Sequence, residues 1–219
     1  NSNSQSLFLD LPGSSLLDTR TVKSPSAKKP ASLEALRSAR ATLTDMLTRY
    51  DQAASRAAAQ VMGQYSTSFS LATRLLRGRV RADIRHLYAV VRIADELVDG
   101  AAAQAHTDPA AALDAYEKTI LAAPQQRLHT DPVVHAYAIT ARRCGFHREH
   151  LVAFFSSMRA DLTHREYSPS ELQDYIYGSA EAIGLLCLQI FLAEENVSPA
   201  DRAAMELSLI HISEPTRPY

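Results

Sequence analysis

Glycine occupies only seven of the 219 positions, and no stretch alternates apolar and polar residues as a half-buried strand would. With Ala, Leu and Arg abundant, these shortages exclude a β-rich fold and predict an all-α protein. Excess charge of either sign is missing as well. Lys and Arg number 23 against 24 Asp and Glu, for a formal net charge of −1, which gives no electrostatic case for nucleic acid as a partner. Cysteine is limited to Cys144 and Cys187, without metal-site spacing and in apolar helical surroundings; reduced thiols and a cytoplasmic location are the expectation. No apolar run approaches the roughly 20 residues that span a bilayer, so no transmembrane segment is expected. The N-terminus has neither the basic start nor the long apolar run of a secretory signal, and it begins without Met, as though the initiator were removed or omitted.

What is present is helical pattern. Residues 1–31, rich in Ser, Pro and Lys, read as a disordered leader. A helix is expected after Pro30, capped by Ser32, with Leu33, Leu36, Leu43, Met46 and Leu47 on its apolar face, and a second from Asp51 to about Gly63. The loop Ala101-AAQAHT precedes Asp108-Pro109, a cap followed by an N1 proline for a helix reaching about Ala122. Asp131-Pro132 repeats the device for a helix ending near Cys144 with Gly145 at C′. Glu149–Leu162 forms another amphipathic helix. Ser168-PSE is a capping box opening a helix from Leu172 to about Ala193. His106, His129, His135 and His147 are scattered and read as surface or packing residues.

One stretch organises the rest: Arg81-ADIRHLYAVVRIADELVD-Gly100. At roughly 100° per residue, Tyr88, Arg92, Asp95 and Asp99 fall within about 60° of one another. Ile84, Leu87, Val91, Ala94 and Val98 form an apolar stripe beside them, and most of the remaining arc is apolar too. Such a helix is buried, so its carboxylates face an internal site. Two carboxylates at i and i+4 repel, and burial raises the cost of their charge. A divalent cation removes both penalties, and oxygen ligands suit Mg2+, with Mn2+ as a substitute. Upstream, the Ser/Thr cluster Ser66, Thr67, Ser68 and Ser70 offers hydroxyls and helix-start N–H groups to an anion.

Tyr65-STSFSLATRLL followed by Leu87-YAVVRIADELVD resembles the opening of the phytoene/squalene synthase family of head-to-head prenyl synthases. The family shows a Ser-rich SxSF segment and then a Tyr-Ala…Arg…Asp-rich helix whose DxxxD is the first of two. Ser157-MRADL is similar to the family's GMxxDL segment, with Ser157 in place of Gly, and Tyr175-IYGSAEAIG resembles a further signature. Glu181 departs from that signature, where a small residue is usual; facing the cavity it would alter the tail channel, and a place at an edge is the expectation.

The resemblance implies the isoprenoid-synthase architecture, antiparallel helices around a central apolar cavity, over residues 32–206. It further implies condensation of two prenyl diphosphates, with geranylgeranyl diphosphate to phytoene, in carotenoid biosynthesis, as the first choice. Asp95 and Asp99 would hold Mg2+, and Arg92 would clamp a diphosphate oxygen. Tyr65, Ser66, Thr67, Ser68, Phe69, Tyr88, Asp161 and Tyr175 would line the substrate site. Lipid products make peripheral membrane association compatible with this reading. The alternatives are a squalene or dehydrosqualene synthase acting on farnesyl diphosphate and a non-catalytic helical assembly factor of the same fold. A terpene cyclase or chain-elongating synthase would show DDxxD rather than DELVD.

Leu207-SLIHISEPTRPY is unlike the rest. It resembles the conceptual translation of a sequencing adapter and interrupts a helix begun near Ser198-PADRAAMEL. Residues 207–219 are therefore expected to be a non-native tail, with the natural chain continuing beyond about Glu206. No second DxxxD follows residue 100, and the chain as it stands is expected to be inactive for that reason.

Overall fold

The computed structural model describes residues 33–163, 167–195 and 197–213. The chain divides into two units, Asn1–Ala41 and Thr42–Tyr219. The leader and the Ser32 cap lie outside the described residues, and the structure below is that of the second unit.

Every element among the described residues is helical. The helices are α1 (Leu33–Tyr65), α2 (Thr67–Ala72), α3 (Gly78–Asp99), α4 (Ala101–Gln104), α5 (Pro109–Ala122), α6 (Pro132–Cys144), α7 (Arg148–Asp161), α8 (Pro169–Ile176), α9 (Ala182–Leu192) and α10 (Pro199–Ser213). A π-helical segment, Tyr177–Glu181, joins α8 to α9.

The local chemistry explains the ends. The Asp108 carboxylate accepts from the Ala110 N–H at 3.0 Å, and Asp131 accepts from Val133 and Val134 at 2.7 and 3.1 Å, each just ahead of an N1 proline. Gly145 closes α6 at φ +66°, a conformation that a side chain disfavours. Ser168 and Glu171 form the reciprocal capping box at α8.

α3 is the hub and packs on α5, α6, α7 and α9. Its Ile84, Leu87, Ala89, Val90 and Ala94 are buried, and they share one core with Ala54, Ala58 and Met62 of α1, Tyr137 of α6, and Phe154 and Phe155 of α7. A buried polar chain crosses this core. The Thr140 hydroxyl donates to Asp83 Oδ1 at 2.5 Å, so its oxygen accepts from the His86 Nδ1–H at 2.8 Å. His86 Nε2 is then the acceptor for the Ser55 hydroxyl, also at 2.8 Å. Arg143 pairs with the other Asp83 oxygen. The chain fixes the neutral tautomer, and burial pushes the His86 imidazole down to about 4.

Several expectations change. The break expected before Asp51 is absent: α1 runs on to Tyr65, and the Asp51 carboxylate bonds His135 Nε2 at 2.8 Å instead of capping a helix. Met46 is exposed rather than core-facing. Ala101–Gln104 is a short helix, not loop. Arg81 donates to the Leu76 carbonyl at 2.7 Å and the Arg74 carbonyl at 2.7 Å, holding the turn before α3.

The helix expected over Leu172–Ala193 is split by the π segment. Gly178 lies so close to α7 that a Cβ there would collide with the Ala153 carbonyl and Ser157 Oγ. The Ser157 and Ser179 hydroxyls donate to the Tyr175 carbonyl at 3.1 and 2.8 Å, satisfying it where the helical ladder shifts. The shift carries Glu181 inward; it is buried rather than at an edge.

Taken together, Pro169–Leu192 is long and apolar enough, by length and composition alone, to cross a membrane, contrary to the expectation of no such run; 44% of its apolar window is nonetheless buried inside the fold. α10 continues through Leu207 to Ser213, with Leu209 against Gly184 of α9, where an interruption was expected. Residues 214–219 lie outside the described residues.

Candidate active site

The polar stripe of α3 forms because Tyr88, Arg92, Asp95 and Asp99 are spaced four, three and four residues apart on a helix held by its apolar arc. Asp95 is half-buried and Asp99 exposed. The Arg92 guanidinium bonds Glu96 one turn on and lies 3.8 Å from Asp95 Oδ2. It also sits over the Tyr65 ring, 4.5 Å from the centroid. Phe69 stacks on Tyr88 with ring centroids 5.3 Å apart. The end of α1 and the short α2 therefore line the same flank of α3.

The third carboxylate arrives from α7. Asp161 accepts a hydrogen bond from the Tyr175 hydroxyl of α8, and its charge reaches Asp95. Tyr167 packs beside Tyr175 with centroids 5.0 Å apart. Burial raises the Asp95 carboxyl to about 6; Arg92 opposes the rise, while Asp99, Asp161 and Glu96 add to it. Burial, reinforced by the bond to Asp161, likewise pushes the Tyr175 hydroxyl up to about 12.

Two features of this arrangement fit a divalent cation with an anionic substrate. The donors at Asp95, Asp99 and Asp161 are all carboxylate oxygens, which hard cations such as Mg2+ or Mn2+ prefer, and burial together with the neighbouring carboxylates keeps Asp95 raised despite Arg92. Arg92 Nε is buried and has no hydrogen-bond partner, so one oriented donor remains for an anion at the same place.

The Ser-rich segment contributes less directly. Ser66 is the N-cap of α2, and its oxygen accepts the Phe69 N–H at 3.2 Å. Thr67 and Ser68 are exposed. α2 spans only six residues, too short for its start to act as an anion site through the helix dipole. Glu96 was not singled out in the sequence, although its i+4 spacing from Arg92 was there to be read.

A profile of the squalene/phytoene synthase family matches residues 62–210. The chain belongs to the squalene/phytoene synthase family. Its relatives include a 15-cis-phytoene synthase from Paracoccus sp., 29% identical over 136 residues, which are 60% of this chain and 45% of that protein. A chloroplastic phytoene synthase 3 from Zea mays is 33% identical over 148 residues, 67% of this chain and 33% of that protein. The chain thus spans less than half the length of the curated relatives it matches. A crystal structure of a dehydrosqualene synthase superposes with a TM-score of 0.57 at 23% identity, covering 66% of this chain and 49% of the other; that likeness establishes the all-α isoprenoid-synthase fold. The family match takes in Leu207–Ile210, the first residues of the segment set apart above as non-native.

Proposed function

We propose that this chain carries the acidic face on which a head-to-head prenyl synthase ionises its substrate, with geranylgeranyl diphosphate as that substrate and phytoene as the product. The observation that carries the reading is the convergence of Asp95, Asp99 and Asp161 beside an Arg92 whose buried Nε lacks a partner. Likeness to two proteins named phytoene synthases favours the phytoene reading over the squalene one.

The step to be promoted is heterolysis of an allylic C–O bond, in which the electron pair leaves with the diphosphate. Mg2+ bound by Asp95 and Asp99, with Asp161 alongside, would neutralise the charge developing on that leaving group. Arg92 donates from Nε to a diphosphate oxygen, and the Tyr65 ring beneath the guanidinium holds it in place. The stacked Phe69 and Tyr88 rings supply an apolar wall that keeps water from the allylic cation. Tyr175, protonated at neutral pH, keeps Asp161 turned toward the acidic cluster.

The test is equilibrium binding of a non-ionisable geranylgeranyl thiodiphosphate, with and without Mg2+, to the protein and to Asp95→Asn. Binding that requires Mg2+ and falls at least about tenfold in the variant supports the reading, one such factor being about 1.4 kcal/mol. Binding indifferent to both Mg2+ and Asp95 overturns it. Tighter binding of the farnesyl analogue would move the substrate to the shorter chain.

A further inference from the structure

At the opposite end of α7 from Asp161, His147, Glu149 and His150 present ligand atoms that all lie within 4.8 Å of one another. We propose that this cluster is a second metal site, one for a borderline divalent ion of the Zn2+ class rather than for Mg2+. It stands apart from the acidic site and does not depend on the function proposed above.

The chemistry of the donors sets the ion. Two imidazole nitrogens and one carboxylate oxygen suit Zn2+, Co2+ or Ni2+, whereas Mg2+ prefers oxygen ligands alone and keeps its water. Three protein ligands leave further positions for water, as in open zinc sites.

The backbone of His147 and the ring of His150 are held in place before any ion arrives. His147 occupies the N-cap of α7, but its ring makes no capping bond. Its backbone N–H donates to Gln189 Oε1 at 3.3 Å, and the Gln189 amide reaches the Gly145 carbonyl at 3.5 Å, so the entry to α7 is tied to α9. His150 is buried, and its Nδ1 lies 3.2 Å from the Tyr177 hydroxyl. That contact orients the ring as an outer partner orients a ligating imidazole. The two rings are stacked, with centroids 5.6 Å apart and planes 29° from parallel.

Charge favours a cation here as well. Glu149 Oε1 is 3.8 Å from His147 Nδ1, and Glu206 of α10 adds its charge at His150. Burial draws His150 toward its neutral, metal-binding form. His147 and Glu149 are exposed, so their rotation closes the cluster onto an ion without disturbing the core. In the sequence His147 and His150 are three apart, but His147 is the N-cap rather than a residue of the helix, and so the three do not read as a group.

The experiment is calorimetric titration of the protein with ZnCl2 in excess Mg2+, which competes for oxygen-only sites and leaves imidazole nitrogens free. One equivalent of Zn2+ should bind, and Tm should rise by about 5 °C or more at a hundredfold excess over Kd. His147→Ala, an exposed change, should abolish the stoichiometric event; Tyr177→Phe should weaken it about tenfold or more; His106→Ala should leave it intact. His150→Gln serves where removal of the buried ring unfolds α7, and far-UV circular dichroism distinguishes the two cases. Co2+ bound in place of Zn2+ should give visible d–d bands that vanish in His147→Ala. No uptake of Zn2+, or one-equivalent uptake that survives in His147→Ala, overturns the proposal. Neither result bears on the Mg2+-dependent binding of prenyl diphosphate, which is read with a different ligand at Asp95.

Discussion

Acid should unfold this protein through His86, and the size of the effect follows from the polar chain in its core. The folded imidazole titrates at about 4 because burial penalises its charged form. The unfolded one titrates near 6.5. Between those values the unfolded chain binds the proton and the folded one does not, so stability rises with pH across the window. The contribution is fully present above about pH 6.5, is lost progressively as pH falls toward 4, and changes no further below that. A fall from about 6.5 to about 4 corresponds to about 3 kcal/mol, a sizeable share of the roughly 5–15 kcal/mol that holds a domain together.

Asp95 titrates in the same range with the opposite sign: its raised folded value means that protonation below about pH 6 relieves a penalty. The comparison must therefore be made against a variant. Urea midpoints read by circular dichroism at pH 7.5, 6, 5 and 4 should fall more steeply for the native protein than for His86→Gln, which keeps a donor and an acceptor but has no charge to gain. Equal slopes in the two proteins would refute the reasoning, since they would mean that His86 is either solvated or already charged when folded.

Three other outcomes are expected. Asp95→Asn should stabilise the protein at pH 7.5 by about 1 kcal/mol after allowance for its partly exposed side chain, a rise of about 2–4 °C in Tm, while removing the effect of added Mg2+ on Tm; an unchanged Tm would mean that burial does not penalise the Asp95 charge. Gly178→Ala should cost about 1–3 kcal/mol in chemical denaturation, because its Cβ meets a carbonyl of α7 rather than a yielding side-chain tip, whereas Gly63→Ala, with open space around it inside α1, should gain about 0.5–1 kcal/mol. Arg92→Lys should weaken Mg2+-dependent diphosphate binding at least about tenfold with little loss of helicity, since a lysine has neither the planar face over Tyr65 nor a donor at the Nε position.

How far the site could be read in the sequence depends on which force places each residue. Tyr88, Arg92, Asp95 and Asp99 belong to one helix, and helical periodicity alone puts them together. Asp161 and Tyr175 join them through the packing of α7 and α8, which no local pattern encodes; they were reached through family resemblance. Asp51 looked like a helix boundary because Asp is a common cap, but its carboxylate is used 84 residues away at His135. Glu181 was misplaced for a subtler reason: the wheel that assigns faces assumes an unbroken α-helix, and the π segment just before α9 violates that assumption.

That π segment also changes how the chain keeps count. Each residue of an α-helix advances the side chains by about 100°, so one extra residue per turn rotates everything downstream by that amount at no cost in helical continuity. Ala182, Leu185, Leu186, Gln189 and Ile190 face the core only because the extra residue has been counted in. A single-codon deletion anywhere within Tyr177–Glu181 could restore an ideal α-helix from Pro169 to Leu192 and yet turn its apolar face away from α7. In this part of the gene, the reading that matters is angular as well as triplet, and away from Gly178 substitutions should be tolerated where insertions and deletions are not.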